Sequence, residues 1–291
     1  MPYRLQIALV FLAPVLVLVT VCALLLTVGG GLLSNAQGYV IRLELPEPGR
    51  MVGLPQISGP DDLTRPLLVI DPGHGGHDPG AKGAGVEEKA LTLALARALR
   101  DELLGAGGIR VALTRDDDRF LVLEERSEIA RKIGADLFLS IHADSAGEQD
   151  EVNGASVYTL SSRASSQGAA RFAARENSAD VVNGVALAGH DEGVNAILLE
   201  LSQRRTQERS NEFAALIVRE GQGRLTFHPQ PRRSAALVVL RAPDVPSALF
   251  EAGFVSNPED AGRLASPEGR QRFAESLSRA IRVYFARERE G

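Results

Sequence analysis

The sequence predicts a single three-layer α/β domain, in which a mostly parallel, twisted sheet is flanked by helices and carries a helical insertion. Residues 67–70 and 137–141 are short strands that are apolar on both faces, as is typical of strands covered by helices on both sides. Such strands alternate with amphipathic helical segments, which is the order expected of βα units.

The elements follow one another in a regular order. Leucines at positions 91, 95, 99 and 103 recur at four-residue steps and predict a helix over residues 87–104. Apolar periodicity predicts further helices over residues 123–133 and 267–286. Strands are predicted over residues 67–70, 109–114, 137–141, 157–160, 236–240 and 248–251.

Residues 161–233 interrupt this alternation. They contain helical patterns over residues 165–176 and 196–221 but no convincing strand. We therefore expect a helical insertion that packs near one end of the sheet.

The first 36 residues have the composition of an export signal. Arg4 is their only charged residue, residues 7–28 are apolar apart from two threonines, and small residues follow at Ser34 and Ala36. The apolar run is also nearly long enough to span a bilayer, so an uncleaved membrane anchor is the alternative. Either reading predicts a periplasmic location for the rest of the chain.

Composition also bears on the domain boundary, on disulfides and on the class of partner. Residues 37–65 contain several Pro and Gly residues and are expected to form a linker that could include one strand over residues 39–45. Residues 66–291 then form the main folded domain. The single cysteine, Cys22, lies inside the apolar run, so the exported part forms no disulfide. A formal net charge of −5 argues against a nucleic-acid partner.

Two histidines follow predicted strands. His74 lies in the glycine-rich turn Asp71-Pro72-Gly73-His74-Gly75-Gly76, and His142 ends an apolar strand. Sites in open α/β sheets form at the carboxyl ends of strands, so the two rings can converge. Each histidine alone is ambiguous, and His142 could simply form a hydrogen bond within the core.

Carboxylates complete the candidate site. Glu87 and Glu88 open the helix after the first turn, where the helix dipole alone would favour a carboxylate. Two imidazoles and one carboxylate with an open fourth position are the composition of a hydrolytic zinc site. Glu251 ends an otherwise apolar strand and would suit a general base and acid, unless its carboxylate only reaches solvent.

Five ordered segments resemble the zinc-dependent N-acetylmuramoyl-L-alanine amidases of the bacterial cell wall, the AmiA/AmiB/AmiC-like group. The five segments are the glycine-rich turn of residues 71–76, Glu88-Lys89, Leu113-Thr114-Arg115, residues 135–144 and residues 251–257. The resemblance covers about residues 67–285. It implies that His74, Glu88 and His142 bind Zn²⁺, that Glu251 is the catalytic carboxylate, that peptidoglycan is the substrate, and that the protein is a monomer.

The insertion also has a counterpart in that family. In division-associated members, an inserted helix covers the zinc cleft and one of its glutamates binds the metal. Activator proteins of the LytM type displace this helix. The resemblance makes Glu176 and Glu192 the candidate autoinhibitory residues. The alternative is a surface helical hairpin with solvated charges.

The expected reaction is hydrolysis of the amide between N-acetylmuramic acid and L-alanine, in cell-wall turnover and daughter-cell separation. A zinc peptidase that cuts within the stem peptide and a non-catalytic wall-binding regulator remain the alternatives.

Arg115 and Arg126 match family positions but are expected to form structural ion pairs. Asp144 is expected either to orient a metal ligand or to cap the following turn. Three histidines have no paired ligand pattern and are not expected to bind metal: His77, His190 and His228.

Overall fold

A computed structural model of the protein describes residues 16–21, 53–147, 151–178, 181–182, 185–186 and 196–290. Residues 16–21 are helical (α1) and belong to a unit distinct from the compact unit Gly53–Gly291. Over the described ranges, no helix combines the length and the apolar character needed to cross a membrane. The predicted signal or anchor and the predicted strand over residues 39–45 lie largely or wholly outside these ranges.

A seven-stranded sheet forms the centre of the compact unit. Its strands, in chain order, are β1 (Ile57–Ser58), β2 (Leu67–Pro72), β5 (Arg110–Leu113), β6 (Leu137–Asp144), β7 (Ala155–Leu160), β10 (Phe227–Ala235) and β11 (Ser247–Phe254). Two short hairpins lie apart from it: β3 (Lys82–Gly83) with β4 (Val86–Glu87), and β8 (Val181–Val182) with β9 (Val185–Ala186).

Helices of the compact unit connect these strands. They are α2 (Glu88–Ala106), α3 (Leu123–Lys132), α4 (Gln167–Glu176), α5 (Ala196–Gly221), α6 (Pro258–Ala265) and α7 (Pro267–Glu290). The predicted helices match α2, α3, α4, α5 and α7 to within a few residues at each end.

The strands are hydrogen-bonded in the order β1-β5-β2-β6-β11-β7-β10. The four adjacent strands β5, β2, β6 and β11 run parallel, whereas β1 and β7 run antiparallel to their neighbours β5 and β11. The carboxyl ends of β2, β6 and β11 therefore meet at one edge of the sheet.

Alternating side chains of the central strands enter two separate cores. Leu68 and Ile70 of β2 join a cluster with residues of α2, α5 and α7, whereas Val69 between them joins a cluster with residues of α3 and α4. The period of two along a strand sends successive side chains to opposite faces, so both faces must be covered by helices. The predicted three-layer α/β class is confirmed.

The predicted strand over residues 236–240 is wrong. The strand is β10, which precedes it and lies mostly within the insertion that we expected to be helical, and Val238–Leu240 is a 3-10 helix. β10 is an edge strand with two prolines, which are tolerated there because one side of the strand needs no ladder partner. The apolar residues that suggested a strand are buried in the second core instead.

Two further elements differ from expectation. β1 lies inside the predicted linker of residues 37–65 and pairs with β5, so the sheet begins before the predicted domain boundary at residue 66. Helix α6 was not predicted, although Asn257 accepts a hydrogen bond from the Asp260 N–H and Pro258 follows at the first helical position.

Replacing Phe273 by Ala should cost about 3–5 kcal/mol of unfolding free energy, because it leaves a cavity under the sheet. Phe273 is 1% exposed on α7, and its ring lies 5.6 Å from that of Phe250 on β11. Urea unfolding followed by circular dichroism measures the loss. Arg272→Ala, on the exposed face of the same helix, should change stability by no more than about 0.5 kcal/mol. Equal losses in the two variants would contradict the assigned core.

Candidate metal centre

A sharp turn at the end of β2 presents His74. This residue adopts φ 60, a left-handed conformation that costs a side chain other than glycine roughly 1–2 kcal/mol. A β-carbon at the preceding Gly73 would lie 2.4 Å from His142 Nε2. Only glycine at this position lets the turn pass so close to the second ring.

His142 reaches the same point from β6. The His74 and His142 ring centroids lie 4.9 Å apart, with planes at 72°. In the parallel pairing of β6 with β11, His142 is directly opposite Glu251. The sheet register therefore places His142 beside the predicted catalytic carboxylate, and the turn after β2 brings His74 against His142.

Glu88 joins the two imidazoles. Its Oε2 lies 3.1 Å from His74 Nε2, and its Oε1 lies 3.1 Å from His142 Nδ1. The backbone N–H groups of Ala81 and Ala143 donate to the same carboxylate at 2.8 Å, which fixes its plane. Glu87, the other carboxylate at this helix start, has a half-exposed side chain and pairs with Lys82 instead.

Glu176, at the last residue of α4, is also brought into the cluster. Its Oε2 lies 3.1 Å from His142 Nδ1 and 3.7 Å from His74 Nε2, and the residue is 7% exposed. The neighbouring Arg175 forms an ion pair with Asp144 at the end of β6. Glu192, the other candidate from the insertion, lies outside the described residues.

Glu251 is almost completely buried, with 1% of its surface exposed. Its Oε2 accepts a hydrogen bond of 2.9 Å from the Asp144 N–H, whereas its buried Oε1 has no hydrogen-bond partner. Burial raises the pKa of Glu251 well above its usual range, and the nearby carboxylates of Asp144, Glu88 and Glu176 raise it further. Such a group can hold a proton near neutral pH and has one oxygen free to exchange it.

The negative charge of the cluster acts on both imidazoles. Burial disfavours the charged ring, but the carboxylate of Glu88 overrides it and raises the pKa of His74 to about 10. Burial likewise opposes charge on His142, whose pKa Glu176 and Glu88 raise to about 10. Glu88 shows the converse: burial opposes its ionisation, yet the two rings hold its pKa below the usual range. The cluster therefore favours a cation at its centre.

These donors fit a metal ion. One donor atom each from His74, His142 and Glu176 lies within 4.8 Å of the other two. The separations between ring nitrogens and glutamate oxygens are 3.1–3.7 Å. Donors about 2.0–2.2 Å from one tetrahedral zinc ion would be about 3.3–3.6 Å apart. His74 Nε2 is moreover buried without a hydrogen-bond partner, as expected of an atom that faces a metal.

Asp78 was not predicted from the sequence to contribute to the site. Asp78 Oδ2 lies 2.7 Å from His74 Nδ1, so the carboxylate orients the ring and leaves Nε2 to face the cluster. A carboxylate four residues after the histidine, in the same turn, was the available signal. Asp144 contributes both its N–H, which donates to Glu251, and its carboxylate, which pairs with Arg175.

The two arginines singled out in the sequence lie beneath the histidine turn. Arg126 forms the expected buried ion pair with Asp71, at 2.9 Å. Arg115 is fully buried but donates chiefly to backbone carbonyls rather than to a carboxylate. Two of the histidines not expected to bind metal lie apart from the cluster: His77 packs on Phe120, and His228 contacts Arg233. His190 lies outside the described residues.

Together, an α/β sheet with buried imidazoles and carboxylates at its carboxyl edge is an arrangement that could bind a metal ion, as the sites of metal-dependent hydrolases do. The sequence profile of the N-acetylmuramoyl-L-alanine amidases matches residues 68–283. The chain is 39% identical over 224 residues to the amidase AmiA of Salmonella typhimurium, which covers 76% of this chain and 77% of that protein.

Solved structures agree with this relation. The amidase AmiC2 of Nostoc punctiforme superposes with a TM-score of 0.54 at 30% identity, over 76% of this chain and 97% of that one. Ami1 of Mycobacterium smegmatis, at 22% identity, shares the fold with a TM-score of 0.56 over 76% of this chain and 97% of that one. The chain belongs to the N-acetylmuramoyl-L-alanine amidase family and is a hydrolase of that family.

In the metal-free protein, His74 and His142 should stay protonated until the pH approaches about 10, whereas His228 should lose its proton below 6.5. Burial and then Arg233 lower the pKa of His228, which makes it an internal control. Because the folded-state pKa values of His74 and His142 are raised, their stabilising contribution is complete below about pH 6.5 and is lost as the pH rises through about 10. Ring ¹⁵N chemical shifts in the presence of a chelator measure the titrations. Transitions of His74 and His142 near pH 6.5 would contradict the charge distribution described.

Proposed function

We propose that this protein is a zinc enzyme that hydrolyses the amide between the lactyl group of N-acetylmuramic acid and the L-alanine of the stem peptide. The observation that carries the proposal is the convergence of His74, Glu88, His142 and Glu251 in one buried cluster within a member of this family. We assign the first three as zinc ligands and Glu251 as the catalytic carboxylate.

A bound zinc ion would polarise a carbonyl and lower the pKa of water that it coordinates from 15.7 to about 7. Glu251 would supply the proton transfers. Its free Oε1 accepts a proton from the attacking water and passes it to the departing alanine nitrogen, while the Asp144 N–H holds Oε2 in place. The raised pKa of Glu251 makes it a stronger base than an ordinary carboxylate, which suits the acceptance of a proton from water.

Glu251→Gln should retain zinc and lose activity by at least about 10²-fold, because the amide cannot accept the proton. The measurement is digestion of purified sacculi followed by mass spectrometry of the products, with zinc content determined in parallel. Glu87→Gln is the matched control, since Glu87 opens the same region but faces solvent, and it should keep full activity.

The products distinguish the alternative functions. Free stem peptides that begin with L-alanine support the amidase, whereas fragments cut within the peptide would indicate a peptidase. A wild-type protein that binds no zinc and releases no product would indicate a wall-binding regulator. Full activity in Glu251→Gln would overturn the role assigned to that residue.

We further propose that the enzyme acts in the periplasm, after export or while anchored through residues 7–28, in cell-wall turnover and daughter-cell separation. The support is the apolar N-terminal composition together with a substrate that lies outside the cytoplasmic membrane. We expect a monomer.

We also propose that Glu176 inhibits the resting enzyme by occupying the metal position that the substrate needs. Its Oε2 lies as close to His142 Nδ1 as the Glu88 oxygen does, at 3.1 Å. The ion pair between Arg175 and Asp144 ties the end of α4 to the end of β6, which keeps the carboxylate inserted. An activator of the LytM type would release the site by moving this helix end.

Glu176→Ala should raise the activity measured without an activator, on the order of 10-fold, because the competing carboxylate is gone. The assay is release of stem peptides from sacculi, with zinc content measured to exclude loss of metal. Arg171→Ala, exposed on the same helix, is the control and should leave basal activity unchanged. A zinc-loaded Glu176→Ala protein no more active than wild type would reject autoinhibition by this residue.

A further inference from the structure

Two buried arginines bind three consecutive carbonyl groups of the turn that presents His74. Arg126 Nη1 donates to the Pro72 carbonyl and its Nη2 to the His74 carbonyl, both at 2.9 Å. Arg115 Nε donates to the Pro72 carbonyl at 2.9 Å, and its Nη2 donates to the Gly73 carbonyl at 2.8 Å. We call Arg115 and Arg126 the arginine clamp.

The arginine clamp binds a segment whose backbone conformation is unfavourable by itself. His74 adopts φ 60, which side chains other than glycine rarely populate unless the surroundings impose it. The carbonyls before and after its α-carbon are both held by guanidinium groups, so the peptide planes on either side cannot rotate. The direction of the Cα–Cβ bond follows from those planes, and this bond is the starting point from which the ring reaches the cluster.

Charge alone does not account for this arrangement. Arg126 is already balanced by Asp71 at 2.9 Å, and that carboxylate also accepts hydrogen bonds from Thr114 and Ser140. The guanidinium still has to reach two carbonyls two residues apart. A planar fork can do so, whereas the single ammonium group of lysine cannot match the same set of directions.

We propose that the arginine clamp positions His74 for metal binding, so that Arg126 and Arg115 set metal affinity without touching the metal. The inference rests on the proposed function, because it takes His74 as a ligand. It adds that the geometry of the ligand is set from the backbone side, whereas Asp78 sets the rotation of the ring.

The test is Arg126→Lys in the full chain, which keeps the charge but removes the fork. Zinc affinity is measured by competition with a chelator, and ligand geometry by the visible absorption of the Co²⁺-substituted protein. We expect zinc binding about 10–100-fold weaker than wild type and a changed cobalt spectrum. Arg115→Lys carries the same test if Arg126→Lys does not fold, because it removes donors to Pro72 and Gly73.

Two controls separate positioning from general destabilisation. Arg131→Lys lies on the same helix, α3, where Arg131 pairs with Asp244 at the surface, and it should leave affinity and spectrum unchanged. Ile281→Ala removes a buried side chain of α7 away from the cluster and should lower the Tm without changing zinc affinity.

The outcomes are distinct. An Arg126→Lys protein that loses Tm as Ile281→Ala does, but keeps wild-type zinc affinity and cobalt spectrum, would overturn the positioning role and leave the proposed function intact. A wild-type protein that binds neither zinc nor cobalt would overturn the proposed function and the inference together.

Discussion

Burial of three carboxylates against two imidazoles is the constraint on which the candidate site depends. Glu88, Glu176 and Glu251 are each at most 7% exposed. The cationic groups nearest to Glu88 and Glu176 are the rings of His74 and His142. Isolated buried charges are expensive, so a cluster of this kind persists only if its members are paired, protonated or bound to a cation. The opposite pKa shifts within the cluster, upward for Glu251 and downward for Glu88, show how the protein divides these states between neighbouring carboxylates.

The sheet makes this concentration of charge possible. Parallel β2, β6 and β11 end at the same edge, so side chains far apart in sequence arrive at one point without long loops. Helices cover both faces of the central strands, so β2, β6 and β11 are buried at every residue, including the ends that carry the cluster. The fold therefore supplies the low-dielectric surroundings in which a carboxylate such as Glu251 keeps a proton.

Much of this could be read from the sequence, and the failures have physical causes. Apolar strands and leucine periodicity predicted the three layers, because burial on both faces leaves a direct mark on composition. β10 was not predicted because an edge strand needs no apolar pattern. Residues 236–240 were predicted as a strand because a short apolar run has the same composition whether it forms a strand or only packs into a core, as it does here. Glu251 stood out as a charge at the end of an apolar strand, whereas Glu88 was distinguished from Glu87 only by the family resemblance. Asp78 did not stand out, since its role depends on the fold of a turn rather than on any period.

The position of Glu176 links this electrostatic constraint to the insertion. A carboxylate at the end of α4 enters the cluster, while the adjacent arginine pairs with Asp144 beside Glu251. Withdrawal of the helix end would remove one negative charge from the imidazoles and one positive charge from Asp144. The imidazoles would then lose part of their stabilisation as cations, and Glu251 would lose one of the carboxylates that raise its pKa. On the proposed mechanism, the movement that opens the site to substrate therefore also lowers the proton affinity of Glu251, so access and proton transfer are coupled through the end of one helix.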